Sequence, residues 1–541
     1  MRLLHHTDRG RAFQLGSITT IESSSQVLAQ PTLPLQTKSR WVVDEDGKRV
    51  KLACVNWVGH LQPMLAEGLT KQPLDIISKK ILSMGFNCVR LTWPTFMVTN
   101  ETLSSMTVRE SFQIFNLVES IAGLEVNNPS FLNITVVQAL QEVVKNLGEN
   151  DVMVILDNHV SKPMWCCNRF DGNGFFGDRY FKPSIWLEGL NKIATMFNGV
   201  QNVIGMSLRN ELRGPGRNDS VWYNFMQKGA ETVHDANPNI LVILSGHDFD
   251  KDLGMLKNQP VNVSFKEKLV FEVHWYSFAA TDDWINGNPN DVCASQVQFL
   301  RDHAFFLLDQ GYPLFMSEWG VNLKGDDVAD NRYSSCVFAV LAELDLDWAL
   351  WTLMGSYYYR EHVMEMNEYY GVLNWDWAEV RSPSFMERLS ALQSPFRGPG
   401  LSDHEQYDVI YHPFSGLCIT KSSDAPPVVP AKLGSCVQPE AWTYTPEKNL
   451  QIKDTYYCLQ ADGEGKPVKF GTDSDCQSSS AKWERITNSK FHFSTMIGNS
   501  TLCLDIGPKN TIVTNQCKCL TGSCEPATQW FHIIPSTIPY D

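Results

Sequence analysis

The stretch Val203-Ile-Gly-Met-Ser-Leu208, which continues into Arg-Asn-Glu211, decides how this chain folds. An uninterrupted apolar run of this length is typical of a strand buried on both faces, and such strands belong to parallel sheets covered by helices. A second run, Leu314-Phe-Met-Ser, ends in Glu318 in the same way. Acids at the carboxyl ends of buried parallel strands lie where (β/α) barrels assemble their active sites.

Segments of the same kind recur along most of the chain. Strands are predicted at residues 52–57, 88–92, 152–157, 203–208, 241–245, 269–274, 314–318 and 348–353. Helices are predicted between them, for example at 73–85, with a proline in the first turn and a closing glycine. A second helix is predicted at 133–147, where Val137, Leu140, Val144 and Leu147 share one stripe. Strand alternating with helix eight times predicts an α/β fold, a (β/α)8 TIM barrel with long loops.

The chain is too long for a single hydrophobic core, since it has 541 residues. Residues 1–38 are expected to be an N-terminal segment, either unstructured or a mis-started signal region. A catalytic barrel is expected over 39–395 and a linker rich in proline and glycine over 396–405. A smaller all-β domain is expected over 406–541.

Three repeats are visible in the last domain. A cysteine between apolar neighbours returns about every forty residues, the spacing of a small repeating unit. Each unit holds a first cysteine, a second cysteine and a closing tryptophan: Cys418, Cys436 and Trp442; Cys458, Cys476 and Trp483; Cys503, Cys517 and Trp530. Units of this size cannot bury a core singly but can do so together.

The composition excludes several classes of partner. The formal net charge is −15, which disfavours nucleic acid and anionic membrane surfaces. No apolar segment is long enough to span a bilayer. A neutral polysaccharide is unaffected by that charge, and 16 tryptophans and 16 tyrosines offer flat faces for sugar rings, although most are expected in the core. A monomer without cofactor or metal is expected.

Cysteine usage points to an oxidising compartment. Of the 14 cysteines, eight crowd the last domain, which indicates disulfides. Five glycosylation sequons agree, at Asn100, Asn133, Asn218, Asn262 and Asn499. The first residues lack an apolar stretch of signal-peptide length. A secreted protein with an atypical start is therefore the preferred hypothesis, and a cytosolic protein with reduced thiols is the alternative.

Two glutamates at the ends of the fourth and seventh predicted strands can supply a proton donor and a nucleophile, as retaining glycoside hydrolysis requires. Glu211 would stay protonated through burial and a nearby negative charge, and then serve as a base. Glu318 would stay ionised and attack the anomeric carbon. Further polar or aromatic residues follow the predicted strands and are expected to bind substrate: Arg90, His159, Asn210, His274, Tyr276 and Trp351.

This set resembles the signature of glycoside hydrolase family 5, the cellulase-like retaining enzymes, over residues 39–395. That family carries an arginine after strand 2, a histidine after strand 3, Asn-Glu after strand 4, His-x-Tyr after strand 6, a glutamate after strand 7 and a tryptophan after strand 8. The resemblance implies that Glu211 is the acid/base and Glu318 the nucleophile. The shared residues do not separate cellulose, mannan, xyloglucan and β-1,3-glucan as substrates.

The repeats of the last domain resemble a ricin-type β-trefoil over roughly residues 405–537. The family's closing Gln-x-Trp is missing, and only the third unit keeps an aspartate after its cysteine-leucine pair, Asp505. A sugar-binding module and a purely stabilising domain both remain open. The pairing of barrel and ricin-like domain resembles the plant members of the family, which implies a secreted protein of the cell wall or apoplast.

The expected function is an endo-β-1,4-glucanase. A β-mannanase, a transglycosylase on the same site and a non-catalytic glycan-binding protein are the alternatives. The insert after the third strand contains Cys166 and Cys167, which either bridge elsewhere or form a vicinal disulfide. A zinc site is not expected, because these cysteines lack paired spacing with histidines.

Overall fold

The computed structural model describes residues 30–402, 405–421 and 430–540. Most of the predicted 1–38 segment therefore lies outside the described residues. Its last residues carry structure, because Gln36–Lys38 pairs antiparallel with Trp41–Val43 and the neighbouring Leu35 is buried. The folded chain thus begins before residue 39.

Eight parallel strands in the described chain close into a barrel, as a (β/α)8 fold requires. They are β1 (Ala53–Trp57), β2 (Cys88–Pro94), β3 (Met153–Val160), β4 (Val203–Ser207), β5 (Leu241–Leu244), β6 (Leu269–Trp275), β7 (Leu314–Trp319) and β8 (Asp347–Leu350). Every residue of these strands is buried, which explains why their sequences are continuously apolar with few exceptions. Each predicted strand is confirmed to within a few residues at its ends.

Helices cover the barrel. They include α1 (Leu74–Ser83), α2 (Val136–Glu149), α3 (Pro183–Met196), α4 (Asp219–Ala236), α5 (Pro289–Leu300), α6 (Val328–Leu344) and α7 (Pro383–Leu389). Further helices occupy the connections at Phe96–Thr99, Glu101–Ser104, Val108–Ile114, Val118–Asn127, Thr281–Asn286 and Phe306–Asp309. Between β5 and β6 the chain has only a 3₁₀ turn, Gly254–Lys257, so the strict alternation is broken there.

The two helices predicted in detail show how local sequence sets their ends. Helix α1 starts after Pro73, and Gly85, with φ +83°, ends it because glycine enters the left-handed region without strain. Helix α2 begins at a capping box formed by Thr135 and Gln138. Its buried stripe includes Val136 and Val143, whereas the predicted Val137 is only half-buried.

The C-terminal region is rich in short antiparallel strands. One curled sheet contains Tyr407–His412, Leu417–Thr420, Lys432–Gly434, Trp442–Tyr444, Leu450–Ile452, Cys458–Gln460, Lys469–Gly471 and His532–Ser536. A second sheet contains Glu484–Arg485, Phe493–Ile497, Ser500–Ile506 and Ile512–Gln516. A short helix, Asp473–Cys476, lies within the second unit. A separate apolar core, with Trp442 and Trp483 fully buried, fills the space between these strands.

Disulfides tie each predicted repeat. Cys418–Cys436, Cys458–Cys476 and Cys503–Cys517 close the three units, and Cys519–Cys524 closes a short loop. In the first two units the closing tryptophan donates its indole N–H to a backbone carbonyl of its own unit, at Ile419 and Leu459. In the third, Trp530 donates instead to Asn290 of the barrel at 3.0 Å. The third unit therefore docks this region on the barrel.

Candidate active site

The polar residues singled out in the sequence converge because parallel strands end at one face of the barrel. Register brings them side by side: His274 on β6 is the Cα partner of Glu318 on β7, and Asn56 on β1 is the partner of Arg90 on β2. These side chains line or underlie a single cleft of about 460 Å³. The cleft is lined by seven of the eight predicted residues: His159, Asn210, Glu211, His274, Tyr276, Glu318 and Trp351.

Glu318 is buried and held by two donors. The guanidinium Nη1 of Arg90 donates to its Oε1 at 2.8 Å, and the hydroxyl of Tyr276 donates to its Oε2 at 3.1 Å. Both contacts favour the ionised carboxylate, because each places a donor on a lone pair that protonation would remove. The two donors therefore fix the Glu318 carboxyl group where it faces the cleft.

Glu211 follows β4 in an unusual backbone conformation, with φ +46°. This left-handed conformation is strained for a residue with a side chain, and such strain is concentrated at functional sites. Its backbone N–H donates to Asp250 Oδ2 at 3.0 Å, which holds the conformation. Its carboxylate Oε1 lies 3.0 Å from Nδ1 of His274. A carboxylate oxygen of Glu211 lies within 4.8 Å of one of Glu318.

Burial is the main cause of the electrostatics of the pair. It raises the pKa of Glu211 to about 7, because the loss of water outweighs the opposing charges of Arg213, Arg90 and Lys251. Burial also raises the pKa of Glu318 to about 7, and there His274 and Arg90 oppose it. Burial lowers the pKa of His274, so its imidazole is neutral at neutral pH. The two acids therefore share a site that holds one proton near neutrality.

Arg90 lies beneath the cleft and is completely buried. Its second terminal nitrogen, Nη2, donates to Asn210 Oδ1 at 2.9 Å and lies 3.1 Å from Asp157 and 3.5 Å from Glu272. Burial disfavours its charge, but the acids around it raise its pKa above the ordinary arginine value. One guanidinium thus positions both the Glu318 carboxylate and the Asn210 amide.

Several buried polar residues of this site were missed by sequence reasoning. Asp157 accepts from His159 Nδ1 at 2.6 Å, Asn56 accepts from Arg90, and Ser207 donates to Glu272. A signal for two of them existed. Asp157 and Glu272 are acids inside apolar runs, each two residues before a predicted histidine, which places acid and histidine on one strand face. Asp250 lies in a loop and gave no such signal.

Stacked aromatic rings form the floor of the cleft. His159 stacks on His60 with 4.0 Å between ring centroids and on Trp351 with 5.7 Å. Burial lowers the pKa of both histidines well below the ordinary value, so this stack is uncharged. Trp351 directly follows β8 and lines the cleft. A flat, uncharged floor of this kind suits the apolar face of a pyranose ring.

Four loops contribute the remaining walls. The loop after β3 supplies Trp165, Cys166 and Cys167, and the two cysteines form the vicinal disulfide that the sequence left as one of two options. The loop after β8 supplies Arg360, whose guanidinium lies 3.4 Å from the centroid of the Trp165 ring. The loops after β5 and β6 supply another wall, in which three of the five residues are aromatic: Phe249, Lys251, Tyr276, Phe278 and Ala279.

Two groups of side chains among the described residues have ligand atoms close enough for a metal: Glu211, His274 and Glu318, and His159, Cys166 and Cys167. In the second group the sulfurs are bonded to each other, which leaves one imidazole as a strong ligand. In the first, Arg90 and Tyr276 already occupy Glu318. Proton chemistry suits the first group better than metal binding.

In the described part of the chain, none of the helices combines the length and apolar character needed to cross a bilayer. All 14 cysteines are paired in seven disulfides, three of which lie in the barrel: Cys54–Cys88, Cys166–Cys167 and Cys293–Cys336. This extent of oxidation is consistent with secretion.

Known proteins share this architecture. Residues 43–356 match the model of the cellulase family, glycosyl hydrolase family 5. A glycosyl hydrolase 5 family protein of Chamaecyparis obtusa is 44% identical over 524 residues, which cover 93% of each chain. The major extracellular endoglucanase of Xanthomonas campestris pv. campestris is 24% identical over 241 residues, 43% of this chain and 45% of that protein.

Among solved structures, a hyperthermophilic endocellulase of the archaeon Pyrococcus horikoshii matches with a TM-score of 0.54 at 18% identity, over 68% of this chain and 100% of that one. At such identity the likeness concerns the fold alone. The family model covers more than half of this chain, and the Chamaecyparis protein is related over nearly all of it. The chain therefore belongs to glycosyl hydrolase family 5 and is a glycoside hydrolase.

Proposed function

We propose that this protein is a retaining endo-β-1,4-glucanase that works by double displacement. Glu318 is the nucleophile and Glu211 the acid/base. Arg90, His159, Asn210, His274, Tyr276 and Trp351 position the acids and the sugar. The polysaccharide is the substrate, and the reaction needs no cofactor.

The observation that carries this proposal is that two carboxylates have oxygens within 4.8 Å of each other but differ in their hydrogen-bond partners. Retaining enzymes hold their two carboxyl groups roughly 5–5.5 Å apart, so that one can reach the anomeric carbon directly. Glu318 accepts from Arg90 and Tyr276, which favours the charged form, whereas the carboxylate of Glu211 contacts one neutral imidazole. The shared proton therefore belongs on Glu211.

The reaction follows from this distribution of the proton. An oxygen of Glu318 forms a bond to the anomeric carbon while the glycosidic C–O bond breaks, and Glu211 gives its proton to the leaving oxygen. A glycosyl ester on Glu318 results. Glu211, now ionised, takes a proton from water, the water oxygen bonds to the same carbon, and the ester bond breaks. Because each of the two displacements inverts the anomeric carbon, the product keeps the anomeric configuration of the substrate.

The preference for a β-1,4-glucan is supported by the names of related proteins. The Xanthomonas relative is described as an endoglucanase. A Pyrococcus endocellulase of the same fold has been crystallised with cellotetraose. The aromatic sides and floor of the cleft suit a chain of equatorially linked sugars, which exposes flat apolar faces.

Hydrolysis of a polysaccharide panel tests the proposal. Purified protein would be incubated with carboxymethylcellulose, mixed-linkage glucan, glucomannan, galactomannan and xyloglucan, with Glu318→Ala in parallel. We expect release of short oligosaccharides from the β-1,4-glucans and a fall in viscosity that precedes most of the sugar release, as internal cleavage produces. Cleavage of galactomannan alone would replace the glucanase by a mannanase.

Azide rescue tests the two roles separately. With an activated aryl β-glycoside, Glu318→Ala plus azide should form a glycosyl azide of inverted configuration, because azide enters the place of the missing nucleophile. Glu211→Ala plus azide should form the azide of retained configuration. The reverse pattern would exchange the two assignments. Glu379→Ala, an exposed glutamate, is the control and should match the wild type.

The remaining alternatives have distinct products. Chains longer than the donor would indicate transglycosylation, since the glycosyl ester is common to both reactions. Glycan binding by folded protein without any product would indicate a binding protein.

We also propose the domain division given by the sequence: a barrel over 39–395, a linker over 396–405 and a ricin-type β-trefoil over 406–541. The repeat disulfides and the separate core of the last region support it. Secretion to the cell wall or apoplast, glycosylation at the sequons and a monomeric state belong to the same proposal.

A further inference from the structure

The vicinal disulfide Cys166–Cys167 lies at the centre of the site. Both sulfurs face the amide of Asn210, at 3.6 Å and 3.5 Å from its Nδ2. Both residues line the cleft, Cys166 almost buried and Cys167 half-buried. The catalytic steps proposed above make no use of these sulfurs.

The loop that carries the disulfide is fastened by the residues that flank Asn210 and Glu211. On one side, Arg209 donates to Ser161 Oγ at 3.1 Å and to the carbonyl of Asn173 at 2.6 Å. On the other, Arg213 donates to the carbonyls of Asn168 at 3.0 Å and Glu211 at 2.7 Å. The position of the disulfide is therefore coupled to the backbone that presents the catalytic acid.

The orientation of the Asn210 amide follows from its contacts. Arg90 donates to Oδ1 at 2.9 Å, so Nδ2 must point the other way, toward the cleft and the sulfurs. Sulfur is a weak acceptor, and the third neighbour, His159 Nε2, lies 3.4 Å away. The amide N–H groups thus have weak partners that a sugar hydroxyl would improve on.

We infer that the Cys166–Cys167 disulfide is a sugar-contact surface. The pyranose ring whose hydroxyl accepts a hydrogen bond from Asn210 packs an apolar C–H face against it. This inference rests on the proposed function. A hydroxyl oxygen within about 3 Å of Nδ2 lies within about 7 Å of both sulfurs, a span that the ring carrying it can bridge. The disulfide is polarizable and carries no hydrogen-bond donor, which suits contact with C–H groups.

Two properties make a disulfide suited to this position. It has no N–H or O–H that would need a partner when the sugar is absent, unlike a serine pair. It is also more compact than an aromatic ring, and the Trp351 ring already covers the floor nearby. The disulfide is thus a positioning element that sets where the sugar lies relative to Glu211 and Glu318.

A paired variant tests the inference. In Cys166→Ser/Cys167→Ser we expect kcat/KM on carboxymethylcellulose to fall about 10- to 100-fold, the cost of a lost apolar contact and an added polar one. Cys519→Ser/Cys524→Ser removes a disulfide that does not line the cleft and should leave kcat/KM within about twofold. In a cycle with Asn210→Ala, the two changes should be non-additive, because they act on one sugar. Additive effects, or an unchanged kcat/KM, would overturn the inference.

A second measurement needs no variant that could fail to fold. Wild-type protein is treated with dithiothreitol and a thiol-alkylating reagent, and labelling is followed by mass spectrometry. Cellotetraose, replenished so that it stays saturating despite hydrolysis, should slow labelling of Cys166 and Cys167 at least about fivefold while labelling of Cys519 and Cys524 proceeds unchanged. Equal rates with and without cellotetraose would mean that the sugar leaves the sulfurs uncovered and would overturn the inference.

The two proposals fail in different ways. If the wild type cleaves glucan but the disulfide variant is unimpaired, the proposed function stands and the inference falls. If the wild type cleaves nothing but cellotetraose still protects Cys166 and Cys167, the inference stands as a property of a binding site and the proposed hydrolysis falls. If there is neither cleavage nor protection, both fall.

Discussion

The two ends of the barrel each bury a cluster of charges, and the clusters differ in balance. At the amino-terminal end, Arg49 and Lys51 face Asp347 and Asp345. At the carboxyl end, Arg90 faces three acids, Asp157, Glu272 and Glu318, and two more, Glu211 and Asp250, lie beside them. The first cluster pairs two cations with two acids. The second contains an excess of acids.

This difference appears in the pKa values. At the amino-terminal end burial opposes the charge of Asp345, but Lys51 and Arg49 outweigh it and lower its pKa. At the carboxyl end burial prevails and raises the pKa of Glu211 to about 7. The comparison teaches that buried acids stabilise when each has a cation, and become reactive when several share one.

The largest effect should come from Glu318→Ala, which removes the proposed nucleophile from the carboxyl-end cluster. We expect kcat to fall about 10⁴-fold, roughly 5.5 kcal/mol of transition-state stabilisation. The free energy of unfolding should change little, because the acid removed belongs to the cluster that has an excess of acids. Steady-state kinetics on carboxymethylcellulose and thermal unfolding check both parts. A variant that keeps wild-type turnover would contradict the assignment.

At the amino-terminal end we expect Asp347→Ala to have the opposite consequence. Asp347 accepts from Arg49 at 2.8 Å and from the backbone N–H of Leu52 at 2.8 Å, so its loss leaves a buried cation unpaired. The free energy of unfolding should fall by about 3–5 kcal/mol. Turnover per folded molecule should remain that of the wild type. Urea unfolding and active-site titration measure the two quantities, and a loss of kcat in folded protein would refute the separation.

An exchange of arginine for lysine should sharpen the comparison. In Arg90→Lys the charge remains, but one ammonium cannot reach Asn56, Asn210 and Glu318 together. We expect kcat/KM to fall about 100-fold, roughly 2.7 kcal/mol. The acid limb of the pH profile should also move up, because Glu318 loses its best donor. Arg49→Lys is the matched control and should leave the pH profile in place.

The smallest effect should be a change in how stability depends on pH. The folded state raises the pKa of Glu211 and Glu318 from 4.5 to about 7, so it binds protons more tightly than the unfolded chain. Their stabilising contribution is complete below pH 4.5 and is lost as the pH rises through about 7. Asp345 has a lowered pKa, so its contribution is present above 3.8 and is lost as the pH falls further.

We therefore expect Glu211→Gln/Glu318→Gln to flatten the decline of Tm between pH 4.5 and 8 and to raise Tm by a few degrees at pH 8. In contrast, Asp345→Asn should lower Tm throughout that range without changing its slope. Differential scanning calorimetry at a series of pH values measures Tm for both variants and the wild type. Parallel curves for the wild type and the double glutamine variant would contradict the excess of acids at the carboxyl end.

The sequence alone determined the barrel and which polar residues meet at its candidate active site. Buried parallel strands require continuous apolar runs, so all eight strands were visible, and residues placed directly after such runs must meet at one face. This is why Glu211 and Glu318 could be expected at one site. Two acids inside those runs, Asp157 and Glu272, also stood out by position, although their role needed the structure.

Only the tertiary structure decided what those residues touch. Asp250 belongs to a loop with no periodic pattern, and its contact with the Glu211 backbone depends on how that loop folds back. The partner of Cys166 was open because a cysteine pairs with whatever sulfur the fold brings near, and the fold brought Cys167. Local pattern reflects burial and strand order, whereas pairing and pKa depend on distances between residues far apart in the chain, and the folded packing sets those distances.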